Sequence, residues 1–436
     1  MNGKVIEMPN EETIVCNPEN THSSGSQQNG ALLKKLSTRR EFLVGTGSLV
    51  LASVLPGCTQ TTKKVQTQTT SPVITVSNDL ALSASCSWIA KDEHHNSYSQ
   101  FKKTIEAATD FSWLSNNDRI LIKVALNSGN KYPATTDPWS VYCMVKLLKD
   151  KGAGEILVGD QSGFGTVKWT KDQKTGSSRQ LAQNAGLLKV IKSSNATPCF
   201  FEEYGWDAYQ PAEPNGEHHW KNPIMIPTLL DEIDHIIYLP RVASHILAGN
   251  TLGFKLGVGF LRGDSRGDFH NGGNHFYAMY EEINQLPQIS SKLRLTASSG
   301  RSVLTLFGPN DGPTTKPDHG LVLASEDILA HEMLAYAWLQ WNREFETSSF
   351  SHMTYGKLTK SRSRYNKQFT ESTWSNRNNQ ETPPIEYFEP GYLYDHPAVI
   401  NCLKRIGGRP RSIYIEELNK QPNNSVISYL NQHLNI

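Results

Sequence analysis

The chain reads as an α/β protein: a layered, mostly parallel sheet with flanking helices. Three observations predict this. Short apolar runs fit for buried strands recur along the chain, beginning with 119–126 (RILIKVAL) and 155–159 (EILVG). Segments of helical periodicity alternate with them. One carries Val141, Met144, Val145 and Leu148 on one face and lies between those two runs, so the three form a β-α-β unit with parallel strands and a right-handed crossover. The segment boundaries also carry capping and stop residues. Asp137-Pro138 suits a helix start and Gly152 its stop.

The alternation continues toward the C-terminus. Residues 179–185 predict a short helix stopped at Gly186, and 198–202, 224–226 and 235–239 (HIIYL) predict strands. Residues 276–286 are helical in character, and 301–307 and 321–324 are further strands. Asp327 caps a long apolar helix through Trp341, 396–406 is a Pro-started, Gly-ended helix, and 412–415 is a last strand. Residues 342–390 form a polar insertion. Within 357–380 it holds Lys357, Lys360, Arg362, Arg364, Lys367 and Arg377 against Glu371 alone, which suits a solvated loop or a docking surface.

The N-terminal 57 residues read as an address. Ser37-Thr38-Arg39-Arg40-Glu41-Phe42-Leu43 opens a short apolar stretch ending at Pro56, the pattern of a twin-arginine export signal. Leu55-Pro56-Gly57-Cys58 is similar to a bacterial lipobox, with Cys58 as the lipidation site. Residues 58–79, rich in Thr, Gln and Ser, then serve as a flexible tether, and 80–436 form the body. The expected location is therefore the periplasm, or its membrane face through the lipid anchor, with the twin-arginine translocase as partner during export.

The 436 residues include 43 Lys+Arg and 42 Asp+Glu. Removing residues 1–57 takes five basic and five acidic residues, so the mature chain keeps 38 basic and 37 acidic residues and stays near neutral. That argues against a nucleic-acid partner, which calls for a basic excess. No apolar run reaches the ~18 residues of a membrane span. Cys86, Cys143, Cys199 and Cys402 show no spacing that selects a disulfide pairing, and the absence of CxxC argues against an iron–sulfur cluster.

In open α/β sheets, ligands bind beyond the carboxyl ends of the strands. Three loops there carry the candidate residues. The first brings Thr136 and Asp137 to a helix N-terminus, where free N–H groups favour an anion. In the second, Asp160 leaves a strand directly into a Gly-rich loop, Gly159 to Gly165, and is a candidate ligand or general base. The third follows residues 235–239 and contains His245, Asn250, Thr251 and Lys255 among glycines. His245 suits proton transfer, and Lys255 suits an anion anchor or a nucleophilic amine. Asp264, Asp268, His270, Asn274 and His275 follow in a glycine-rich loop, and His270 and His275 are the candidate metal ligands.

On these residues the body resembles the bacterial and archaeal family named domain of unknown function 362. The matching pieces are RILIKVALN, TTDPWSVYCMVKLLKDKGAGEILVGD, IDHIIYLPRVASHILAGNTLGFKLGVGFL, LTLFGPNDGP and GLVLASEDILAHEMLAYAWL, spanning 119–341, with HPAVINCLKRIGG near the end. Many members carry ferredoxin-type cysteines, which this chain lacks, and Ala243-Ser244-His245 stands where the family usually shows Lys-x-His. The chain is also distantly similar to the lactate racemase family. His245, Ala248, Gly249, Thr251, Gly253 and Lys255 match its His-x-x-Ala-Gly-x-Ser-Gly-Gly-x-Lys segment, with Leu252 in place of a Gly. In that family the Lys anchors a nickel-pincer nucleotide and the His does acid–base work. The resemblance implies a shared fold and pocket position, with a nickel-ligating His near His270 or His275.

Three functions follow as expectations. The leading one is an exported protein that binds or transforms a small anionic molecule with Asp160, His245 and Lys255. In it Lys255 holds the anion, His245 moves a proton, and Asp160 orients a hydroxyl, a metal or the imidazole. The others are a non-catalytic binding or scaffold lipoprotein and a metal- or nickel-cofactor-dependent enzyme.

Overall fold

The computed structural model describes residues 76–91, 93, 97–346, 391–420 and 422–434. The export motif with Arg39 and Arg40, Cys58, most of the tether and the insertion from 347 to 390 lie outside the described residues. Among the described residues an eleven-stranded sheet organises the chain. Its strands are β1 (Val76–Ala90), β2 (Ile120–Val124), β3 (Ile156–Asp160), β4 (Thr197–Phe200), β5 (His235–Leu239), β6 (Arg241–His245), β7 (Gly249–Thr251), β8 (Leu293–Leu304), β9 (Thr314–Thr315), β10 (His319–Ser325) and β11 (Arg409–Glu417). The order is β11-β1-β10-β8-β5-β2-β3-β4, with β6 and β9 beside β8 and β7 beside β6. The run from β8 through β5, β2 and β3 to β4 is parallel, whereas β10 is antiparallel to both β8 and β1.

Two helical layers cover the sheet, which explains why its central strands are apolar without alternation. On one face lie α1 (Ser97–Ala108), α2 (Pro138–Asp150), α3 (Ser178–Asn184) and α4 (Leu187–Ser193). On the other lie α5 (Gly263–His270), α6 (Phe276–Glu282), α7 (Ile328–Glu344), α8 (Pro397–Arg405) and α9 (Asn424–Leu434). In β2, Ile120, Ile122 and Val124 pack into the first layer and Leu121 into the second. The side chain of Lys123 therefore shares the second face with Leu121.

The sequence-level boundaries hold where caps are strong. Asp137 accepts the Trp139 N–H at 3.0 Å, and Pro138 opens α2. Asp327 accepts the N–H groups of Leu329 at 2.7 Å and Ala330 at 3.1 Å at the start of α7. Four expectations change. A 15-residue strand begins at Val76, inside the range expected as tether, and α1 follows it. Helix α7 runs past Trp341 to Glu344, because Asn342 and Arg343 are buried against the sheet: Asn342 accepts from Thr315 Oγ1, and Arg343 donates to Ser244 Oγ and the Gly249 carbonyl. The expected loop after β5 is instead the hairpin β6–β7 followed by a 3-10 segment, Phe254–Phe260. The glycine-rich stretch with Asp264, Asp268 and His270 is helix α5. Its glycines are offset by Arg266, whose buried guanidinium ties the helix to the Leu261 carbonyl at 2.9 Å. No helix of the described residues is long and apolar enough to cross a membrane.

Candidate functional site

The strand order locates the site. From β2 the chain winds through β3 to β4, then returns to place β5 on the opposite side of β2. Beyond the carboxyl ends of β2 and β5 lies a topological switch point, the place where open α/β sheets bind ligands. Lys123 lies next to the last residue of β2, Asp160 ends β3, and Arg241 opens β6 directly after β5. The hairpin β6–β7 and the 3-10 segment bring His245 and Lys255 over the same ends.

Lys123 is completely buried, and its Nζ donates to Asp160 Oδ1 at 2.6 Å and to the Val124 carbonyl at 3.1 Å. Burial lowers its pKa, opposed by Asp160. Asp160 Oδ1 also accepts the Gln161 N–H, and Oδ2 accepts the Leu126 N–H, both at 2.8 Å. Asp160 is therefore the counter-ion and clamp of Lys123. Its lone pairs are directed at these donors, so the general-base role expected of it does not fit this geometry.

Arg266 reaches in from α5. Its guanidinium donates to the carbonyls of Ser162, Gln161 (2.7 Å) and Gly259 (3.2 Å), which holds the loop after β3 against the 3-10 segment. Gly259 is required there by close approach. A Cβ on it would stand 1.9 Å from Asp160 Oδ1 and 2.3 Å from Lys123 Nζ. Gly259→Ala is expected to destabilise the protein by roughly 3 kcal/mol, the upper end of overpacking, because both clashing atoms belong to a buried ion pair. Denaturant unfolding checks this; a change within 0.5 kcal/mol (about the noise of a neutral surface change) would show that the ion pair yields easily.

Arg241 differs from the other cations. It is buried, and its Nε and Nη1 find no acceptor among the described residues. Burial lowers its pKa to about 9, so it stays cationic at neutral pH. The Asn250 Oδ1 and Ser162 Oγ are likewise buried without a partner. Lys255 makes no hydrogen bond or ion pair among the described residues and keeps part of its surface accessible. Burial, then the Arg241 and Arg266 charges, lower its pKa to about 7 against the pull of Asp160.

His245 is also partly accessible. Its Nδ1 faces the backbone N–H groups of Leu247 at 3.1 Å and Ala248 at 3.2 Å. An amide N–H only donates, so Nδ1 must accept and the ring proton resides on Nε2. Burial and the nearby Lys255, Arg241 and His270 push its pKa well below the ordinary value. The ring is a neutral donor, not the proton acceptor expected from its type.

The structure brings Asp160, His245 and Lys255 into one electrostatic neighbourhood. Asn250 and Thr251 are buried on β7, opposite Ser244 and Ala243. Thr136 and Asp137 instead serve the fold: Thr136 Oγ1 donates to the Leu239 carbonyl at 2.6 Å and accepts the Ala125 N–H, and Asp137 pairs with Arg301 at 2.8 Å. His270 and His275 take different partners. His270 Nδ1 lies 2.7 Å from the Arg266 carbonyl and its ring stacks on Phe164, whereas exposed His275 stacks on His219. No group of three or more His, Cys, Asp or Glu among the described residues could hold a metal ion.

Sequence patterns missed Lys123, Arg241 and Arg266. Lys123 had a signal, a lysine inside an otherwise apolar strand, since a buried ammonium demands a partner. Arg241, directly after the apolar run 235–239, had a weaker one. Arg266 resembles any surface arginine until the fold is known.

The family model described as Domain of unknown function (DUF362) matches residues 120–337, half of the chain, and that span holds every residue of this site. No curated relative matches the chain. Among solved structures, the lactate racemase apoprotein from Thermoanaerobacterium thermosaccharolyticum is 13% identical with a TM-score of 0.29. The match covers 47% of this chain and 48% of that one, so the chain spans about half the length of that protein.

Proposed function

The chain belongs to the domain of unknown function 362 family, and from that premise we propose that it binds a small anionic molecule, a carboxylate or a phosphate, at the switch point. One observation carries the reading: four buried or half-buried cations, Lys123, Arg241, Lys255 and Arg266, share the carboxylate of Asp160, and a further buried carboxylate, Glu202, acts on Arg266. Charges so placed are costly unless paired. Lys123 has its partner and Arg266 has carbonyls, whereas Arg241 and Lys255 have neither. An anion supplies what both lack. Arg241 would hold it as a charge-assisted donor, Lys255 would add a second cation, and the His245 Nε2–H would donate a hydrogen bond to a neighbouring oxygen.

A metal held by the protein's own side chains does not fit. No three donors converge among the described residues, and the surrounding positive charge opposes a cation. The nickel-bearing cofactor implied by the lactate racemase resemblance meets the same objection at His270 and His275.

Thermal shift against a panel of carboxylates and phosphates tests the reading. A ligand at 100 times its Kd should stabilise the wild type by about 2.7 kcal/mol. Arg241→Gln and Lys255→Met should each weaken that response. Unchanged shifts in both variants would sink the assignment.

The pH dependence has a definite sign. Lys255 holds an anion only while protonated, and its folded pKa is about 7. Affinity is therefore expected to be greatest below pH 7 and to fall as pH rises through it, by up to about tenfold per unit. Titration calorimetry at pH 6, 7 and 8 measures this, and Lys255→Met should flatten the profile. A profile that stays steep in the variant would assign the dependence to another group.

We further propose export by the twin-arginine translocase with lipidation at Cys58, which would make the lipid anchor the membrane contact and the periplasm the location. Arg39-Arg40 before an apolar stretch and the lipobox-like Leu55 to Cys58 support it. Arg39→Lys with Arg40→Lys should retain the precursor inside the cell, and Cys58→Ser should release the mature protein from the membrane fraction. Unaltered fractionation in both would refute the proposal.

A further inference from the structure

We infer that Lys255 is a nucleophilic amine that condenses with the carbonyl group of a small keto acid or aldehyde acid whose carboxylate is held by Arg241. The inference rests on the anion reading above and adds a covalent step to it.

The arrangement of groups carries the argument. Lys255 is the one cation of the four that has no fixed acceptor of its own yet remains partly accessible. Arg266 is tied to four carbonyls, and Lys123 to Asp160 and a carbonyl. The groups in electrostatic reach of Lys255 are the cations Arg241 and Arg266, the carboxylate of Asp160, and His245. Two guanidiniums favour the uncharged amine, and a neutral amine is the form that attacks carbon. His245 is locked by the Leu247 and Ala248 N–H groups with its proton on Nε2. It can donate a hydrogen bond to a carbonyl oxygen but has no free lone pair to compete for the amine's proton. Arg241 supplies a charge-assisted donor for the ligand's carboxylate, with Nε and Nη1 unpartnered in the protein.

The step balances without an oxidant or reductant. The Lys255 Nζ lone pair forms a bond to the carbonyl carbon, and the carbonyl π pair moves to oxygen. That oxygen takes the proton lost by nitrogen, giving a carbinolamine. It then leaves as water with a second proton, giving an imine; amine and carbonyl compound have become imine and water. The His245 Nε2–H stabilises the oxygen as charge develops there.

The experiment uses the full chain with glyoxylate or pyruvate as probe, sodium cyanoborohydride to trap the imine, and acetone as an uncharged control. Intact mass and peptide mapping read the result. The expected outcome is one adduct, on Lys255, formed at pH 7.5 roughly a hundredfold or more faster than on surface lysines of ordinary pKa. Lys255→Arg should keep anion-induced stabilisation and lose the adduct. Arg241→Gln should slow trapping of the keto acids at least tenfold more than it slows the reaction with acetone.

Adducts spread evenly over surface lysines, or equal trapping of acetone, would overturn the inference. Mapping of the wild type decides this even if a variant does not fold. If anions stabilise the wild type but no adduct forms on Lys255, the covalent step is wrong and the anion site stands. If neither occurs, both fall.

Discussion

Asp160→Ala is expected to lower the unfolding free energy by about 3–5 kcal/mol, the largest effect of any single substitution at the site. The physical reason is the partner left behind. Lys123 is fully buried in the middle of the sheet, and without Asp160 its ammonium keeps only the Val124 carbonyl. The N–H groups of Leu126 and Gln161 lose their acceptor at the same time. The double substitution Lys123→Met with Asp160→Asn should recover part of the loss, because it removes the charge and leaves an amide oxygen for one of the two backbone donors. Urea denaturation of the wild type, both single variants and the double variant gives the coupling energy directly. If Asp160→Ala stays within 0.5 kcal/mol of wild type (about the range of a neutral surface change), the pair does not hold the strand ends together.

Arg241→Met is expected to act in the opposite direction. Removing a buried guanidinium whose Nε and Nη1 have no protein acceptor should stabilise the ligand-free protein by about 1–4 kcal/mol. It should also abolish anion-induced stabilisation. Gain of stability with loss of response is the signature of a group retained for function at the expense of the fold. Arg266→Met, a neighbour of the same charge, serves as control. Its guanidinium satisfies four carbonyls, so its removal should destabilise. If both arginines destabilise equally on removal, Arg241 is structural and the anion site loses its main support.

The two arginines show how far the chain can be read without its fold. Helix α2 was legible because its signals are local: Asp137 and Pro138 at one end, Gly152 at the other, and a 3.6-residue apolar stripe between them. Asp160 was legible as a polar residue leaving a buried strand, yet its role was not. Whether a carboxylate is a base or a counter-ion depends on who faces it, and Lys123 is 37 residues away. The role of His245 turned on two backbone N–H groups that only the tight hairpin β6–β7 directs at Nδ1. The glycine-rich stretch with Asp264 and His270 looked like a loop, since glycine disfavours helix. Burial of Arg266 and Phe269 made it α5.

The sequence by itself determined the α/β class, the parallel order implied by its β-α-β unit, the family, and the region of the chain that carries the site. Those properties follow from period, caps and turn residues, which act over a few residues at a time. Only the tertiary structure decided which charges meet. It brought Lys123, Arg241, Lys255 and Arg266 around Asp160 from five separate segments, and it left two of those cations without a partner. The energy of a buried charge is set by burial and by distance to the opposite charge, and neither quantity exists until distant segments are packed.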